Sequence, residues 1–299
     1  MLFGVQRTVE NCVEWFVYEQ DNKDNKGMSF KMDFDAFMSE CWQLHEEKPE
    51  QVYAQLETAL NEVEALSQVE RIFALMLHTA IGHLEHPELF LACLDRLDDR
   101  AITESLAFKR SIAVARFFVD GTEDVALLEE QDQRRVFSLI ANELSALTQL
   151  EPASQWLAKA ALGMTPHDAE EVLARSIAIT ANNLACQYEE LSERTDEQKA
   201  RMLESARLAL DYWKIAGGWM QEERAEYRLA MSLLKADAPK EAKVHAERCE
   251  AICLQNGGDA FELFYAHDLL MQVHFQLSQQ CKKQLDAQVQ QYCTTSELA

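Results

Sequence analysis

The residues in this chain able to do chemistry are its histidines, its cysteines and a few polar side chains set among apolar ones. His78, His83 and His86 fall together in HTAIGHLEH. His83 and His86 are three apart, which puts them on one face of a helix, with Glu85 adjacent and Pro87 following as a turn. The pattern is not the HExxH of a zinc protease. His267 and His274 share a second face, with Met271 between them. Either group would need a ligand from another helix to hold a metal ion, so both are assigned as partly buried or solvated histidines and no metal or cofactor is expected. Cys249 and Cys253, four apart, share a helix face and read as packing residues. Paired carboxylates such as Asp98–Asp99 and Glu129–Glu130 carry no catalytic signal in so acidic a chain. No GxSxG elbow, phosphate-cradling glycine loop or dinucleotide fingerprint occurs. An enzyme is therefore not the expected class.

Composition narrows the partners. Lys and Arg number 28 against 51 Asp and Glu, a net charge of −23. Such a surface repels phosphate backbones, which argues against nucleic acid, and favours encounter with basic partners. No apolar run approaches the ~18 residues of a membrane span, so no membrane is expected. The start, MLFGVQRTVENC, lacks a basic leader followed by an apolar core. Cys12, Cys41, Cys93, Cys186, Cys249, Cys253, Cys281 and Cys293 sit mostly in apolar helical patterns and read as reduced thiols of a cytoplasmic protein.

The elements that must carry these residues are helices. The chain of 299 residues is 48% hydrophobic and 26% charged, with only nine Gly and five Pro, and strand-like alternation is hard to find. Amphipathic spacing predicts helices over 5–19, from Phe30 to Leu44 after a DNKDNKG loop, and from Pro49, with Val52, Leu56, Leu60 and Val63 in register. Helical pairs are expected over 68–98 (turn at Pro87), 101–130 (breaker Gly121), 134–166, 168–216 and 224–254. A last pair is expected from Phe261 to about Tyr292, with a frayed CTTSELA tail. Ala80 and Ala92, Ala141 and Ala153, and Ala230 and Ala242 are each twelve residues apart, where the two helices of a pair would cross. In 168–216 the segment SERTDEQK displaces the second helix. Trp213 and Trp219 flank the Gly217–Gly218 turn and are expected to pack neighbouring pairs together.

Ile140–Ala141 with Leu144, Leu184–Ala185 with Tyr188, and Leu229–Ala230 with Leu233 resemble the large–small signature of tetratricopeptide repeats (TPR). The resemblance covers 134–256 best, 68–130 weakly, and is absent before that. It implies an all-α superhelix, a solenoid of stacked antiparallel hairpins whose first helices line a concave face. It also implies a site. Family members that grip the C-terminal carboxylate of a peptide place Asn in successive first helices and basic residues in the next. Asn142, Asn183, Arg224 and Arg228 occupy such places, while a further basic position is filled by Ser138, with Arg135 one turn away. Arg presents a fork of donors to a carboxylate and Asn amides can hold main-chain carbonyls. Arg224 and Arg228 also have Glu222, Glu223 and Glu226 beside them, and could serve only as surface pairs.

The expected molecule is thus an N-terminal helical region, 1–66, packed on a solenoid, 67–299, of roughly fourteen helices in all. It would bind a protein or peptide, through a C-terminal carboxylate or a basic segment, on its concave face. Three other readings are a ligand- or peptide-responsive regulator acting through a protein partner, a metal-dependent enzyme at the histidines, and a structural subunit of an assembly.

Overall fold

The computed structural model describes residues 33–63, 65–94 and 100–297. The expected helix over 5–19, its following loop and the first residues of the Phe30–Leu44 helix lie outside the described residues, as do Cys12 and Asp98–Asp99. Every regular element among the described residues is a helix, as the composition requires. In chain order these are α1 (Phe34–Leu44), α2 (Pro49–Leu60), α3 (Leu66–His78), a π turn (Thr79–His83), α4 (Pro87–Leu94), a short α5 (Arg100–Thr103) and α6 (Leu106–Asp120). They continue with α7 (Glu130–Ala146), α8 (Leu150–Ala161), a 3₁₀ turn (Pro166–Asp168), α9 (Glu171–Glu190), α10 (Asp196–Ala216), α11 (Trp219–Lys235), α12 (Pro239–Gln255) and α13 (Ala260–Glu297). None of them is long and apolar enough to cross a membrane.

Local chemistry sets the helix starts. The Asp33 carboxylate accepts from the amides of Asp35 and Ala36 at the head of α1. The Ser105 hydroxyl accepts from Phe108 N at the head of α6. Pro49 and Pro239 open α2 and α12, where the missing N–H would have no partner anyway. The SERTDEQK segment is only partly a loop: Thr195 and Gln198 cap each other reciprocally, so α10 begins at Asp196.

From α7 onward, helices pack in sequential pairs, α7 with α8, α9 with α10 and α11 with α12, and first helices also touch: α7 with α9, α9 with α11, α11 with α13. Ala141 and Ala153, and Ala230 and Ala242, are fully buried. A methyl side chain at these places lets the paired helices approach closely, and it leaves the larger Leu144, Leu157, Leu229 and Leu233 to fill the space on either side. Trp213 is fully buried at the end of α10 and Trp219 half-buried at the start of α11. The buried apolar residues form one cluster from Phe34 to Val273.

Three expectations are corrected. Ala80 is buried but Ala92 is exposed, and the small buried residue of α4 is Cys93, thirteen places on. The π turn that contains Ala80 holds one residue more per turn than an α-helix, so the twelve-residue offset does not carry through it. Residues 101–130 do not form a pair. After α6 the chain passes through Gly121 in the left-handed region (φ 79°), and 122–129 have no helix. The last pair is instead one 38-residue helix, α13, helical through Glu297. No Gly or Pro follows Gly258, so nothing breaks it.

Gly217 makes the tightest backbone approach at the α10–α11 turn. A Cβ there would lie 2.6 Å from Gln221 Cβ and 2.8 Å from the Trp213 carbonyl oxygen. Gly217→Ala is therefore expected to destabilise the protein by about 1–3 kcal/mol through overpacking, read as a fall of several degrees in the thermal midpoint. Gly163→Ala, with open space around it but a φ of 70°, is expected to cost about 1 kcal/mol through backbone strain alone.

Candidate functional site

The first helices are joined by buried polar contacts rather than by apolar packing alone. Between α7 and α9, Ser138 lies 3.2 Å from the Thr180 hydroxyl, Ser176 donates to Ser138 (3.1 Å), and Asn183 Nδ2 donates to Asn142 Oδ1 (3.3 Å). Between α9 and α11, the Glu189 carboxylate accepts from Arg228 Nη1 (2.5 Å) and from the Ser232 hydroxyl (2.6 Å). Between α11 and α13, Arg224 Nη2 donates to Glu262 Oε1 (2.7 Å). Within the α11–α12 pair, Cys249 donates to Glu223 and His245 to Glu226. Cys253 is buried beside this group, and burial with the charge of Glu223 pushes its thiol up to about 12. Packing, not redox chemistry, describes both cysteines.

These contacts place the four residues expected to grip a peptide. Asn142 and Asn183 are brought together, one bonded to the other. Arg224 and Arg228 each pair with a carboxylate from a neighbouring first helix, Glu262 and Glu189. Both Arg228 and Glu189 are more than nine-tenths buried. A peptide carboxylate reaching Arg228 would have to displace Glu189, whose charge would then be left buried and uncompensated. Ser138 is fully buried in the same seam. Arg135 is half-buried, and desolvation, then the nearby Arg110, lower its pKa to about 10.

The seam ends at α3 in a group of histidines. His45 at the end of α1 and His78 and His83 on either side of the π turn have ring nitrogens within 4.8 Å of one another. On an α-helix, residues five apart diverge by ~140°; the wider π turn brings His78 and His83 to the same side, with their Nε2 atoms 3.2 Å apart. His78 Nδ1 donates to Glu143 Oε2 of α7 (2.8 Å), and Glu143 Oε1 accepts from Asn142. Gly82 allows this: a Cβ there would sit 3.0 Å from Ala146 Cβ and 3.3 Å from Glu143 Oε2. His45 Nδ1 donates to the Trp42 carbonyl (2.5 Å), while its Nε2 is buried without a hydrogen-bond partner. The Trp42 ring stacks on His78 and meets His45 edge-on. Burial, then the proximity of His78, lowers the pKa of His45 to about 4 and of His83 to about 3. Burial also acts to lower that of His78, but the charge of Glu143 outweighs it and the value is raised.

The expected pairing of His83 with His86 does not form. The helix has ended by Glu85, which takes a positive φ, and His86 instead faces Glu88 in solvent. His267 meets Glu250, and His274 is exposed. His45 and Glu143 were missed by sequence reasoning because they come from helices far away in the chain.

A second surface lies on α13. Its inner face buries Tyr265, Ala266, Leu269 and Val273, while Phe264, Met271, Phe275, Leu285 and Val289 are all more than half exposed. Phe264, Met271, Leu285 and Tyr292 lie on one seven-residue row, which Ser278 interrupts, and Phe261, Phe275 and Val289 on a parallel row that Asp268 and Lys282 interrupt. From Cys281 to Thr294 every residue is exposed.

Arg228→Ala is expected to cost about 3–5 kcal/mol in urea unfolding, because it leaves Glu189 buried and unpaired. Arg228→Met combined with Glu189→Leu is expected to recover most of that loss. A cost below ~1 kcal/mol for the single change would mean that Arg228 behaves as an exposed residue. The chain matches no protein-family model, no curated protein and no solved structure.

Proposed function

We propose that this chain is a non-enzymatic, TPR-like solenoid that binds another protein, and that the outer face of α13 is where the partner docks. The observation that carries this is the exposed apolar stripe along a helix about 57 Å long at 1.5 Å per residue. Leaving Phe264, Met271, Phe275, Leu285 and Val289 in water forgoes the stabilisation their burial would bring, and exposed apolar rows of this kind mark interaction sites. A seven-residue spacing fits a helical partner, whose own apolar residues fall into the gaps between these side chains.

The occupant is an amphipathic helix of another protein with basic residues flanking its apolar face. Charge selects it: a chain at −23 attracts such a helix and opposes the approach of a second copy of itself. In the seam between first helices, by contrast, Asn142, Asn183, Arg224 and Arg228 already have partners from neighbouring helices or residues.

The test uses a partner captured from the native cell extract and then purified. Phe264→Asp with Phe275→Asp is expected to weaken its binding at least 100-fold and to leave circular dichroism and thermal midpoint unchanged, since both side chains are exposed. Binding is expected to weaken further with added salt. Undiminished binding by the double variant overturns the assignment. So does sedimentation equilibrium showing a dimer of the chain that the same substitutions dissociate, which would make the stripe a self-association surface.

A further inference from the structure

We propose that His45, His78 and His83 form a binding site for a divalent transition-metal ion, zinc by its donor set, with Glu143 as the residue that positions His78. The inference is independent of the α13 surface.

Three features of the geometry point to an ion. First, the spacing is close to that of a coordination sphere. Zn–N bonds of about 2.0–2.1 Å in a tetrahedron place ligand nitrogens about 3.3–3.4 Å apart. His78 Nε2 and His83 Nε2 are already 3.2 Å apart, and the His45 nitrogen lies within 4.8 Å of them. Drawing the His45 ring inward by about 1–1.5 Å, with its Nδ1 bond to Trp42 kept, would close the remaining gap. Second, the outer nitrogens are committed. His78 Nδ1 donates to Glu143 and His45 Nδ1 to the Trp42 carbonyl. Each bond fixes the tautomer so that the lone pair of Nε2 is available to a cation. A carboxylate or backbone carbonyl behind the ring is the usual support of a metal-bound imidazole. Third, His45 Nε2 is buried with no hydrogen-bond partner. A buried polar atom in that state carries a desolvation cost, which a metal ion at the centre of the three rings would remove.

The backbone is shaped to the same end. An α-helical His78–His83 pair would point in different directions; the π turn aligns them, and such turns recur at functional sites. Gly82 keeps the turn bare so that Glu143 can reach His78. Imidazole nitrogens suit zinc, copper and nickel over magnesium or calcium, which take oxygen ligands. Three protein ligands leave a fourth position to water or to a donor from a bound molecule. An ion here would tie α1, α3 and, through Glu143, α7 into one unit.

The test uses the full chain with Cys281→Ser and Cys293→Ser, which removes the two thiols that are exposed among the described residues, and with Cys12→Ser, after dialysis against a chelator. Titration with Zn²⁺ followed by calorimetry, and with Co²⁺ followed by visible absorption, is expected to give one ion per chain and a tetrahedral spectrum without thiolate charge transfer. His45→Gln and His83→Gln are each expected to lower affinity at least 100-fold. Glu143→Gln is expected to lower it about 10- to 100-fold, as loss of a supporting carboxylate does. His86→Ala, in the exposed Glu88 pair, is expected to change nothing. Binding unaffected by His83→Gln, or abolished by His86→Ala, overturns the assignment. Should His45→Gln fail to fold, X-ray absorption at the zinc edge of the unsubstituted site decides: three imidazole ligands support it, and fewer than three overturn it.

Discussion

How closely two helices can approach is set by the smallest side chain at their crossing, and that constraint runs through the whole molecule. Ala141, Ala153, Ala230 and Ala242 are fully buried. A larger residue at any of them would separate the paired helices and open voids around the neighbouring leucines. With the pairs drawn tight, first helices also come into contact, and polar side chains between them lose water. Such groups are tolerated only when bonded. Ser138, Thr180, Asn142, Asn183, Glu189, Arg228 and Ser232 meet that requirement by bonding across the helices or to a neighbouring residue, so the seam follows from the packing.

A seam bonded in this way does two things at once. It fixes the relative register of α7, α9, α11 and α13, because Arg228 can reach Glu189 only in one alignment. It also engages side chains that would otherwise serve a ligand, and the binding we propose rests on groups outside it. These are the outer face of α13, whose apolar residues face water, and the three histidines near the other end, whose nitrogens converge. The histidines are coupled to the seam through Glu143 and Asn142, and α13 through Glu262 and Arg224.

Much of the fold was legible in the sequence because its cause is local. Apolar spacing marked the helices, Pro49 and Pro239 marked starts, and the alanines twelve apart in α7–α8 and α11–α12 are fully buried. The reading failed where a repeat was carried past its cause. A final pair was expected by analogy with earlier ones, although no Gly or Pro after Gly258 could turn the chain. The clamp residues were legible as residue types at set places, but not their partners: Glu189 lies 39 residues from Arg228 and Glu262 lies 38 from Arg224. The histidine group was legible only in part: His78 and His83 stood out in HTAIGHLEH, but not their convergence or their partners. His78 and His83 are five apart, a spacing that an α-helix separates, and only the π turn reunites them. His45 comes from another helix, and Glu143 is 65 residues from His78.

The central functional claim is that a partner docks on the outside of α13 and not along the seam between first helices. Hydrogen exchange of the complex with its purified partner tests this most directly, since amide protection reports where the chain is covered. The account predicts slowed exchange over 261–292 and unchanged exchange in α7 and α9 around Asn142 and Asn183. Protection around Asn142, Asn183, Arg224 and Arg228, with 261–292 unchanged, would contradict it and return the binding site to the seam between first helices.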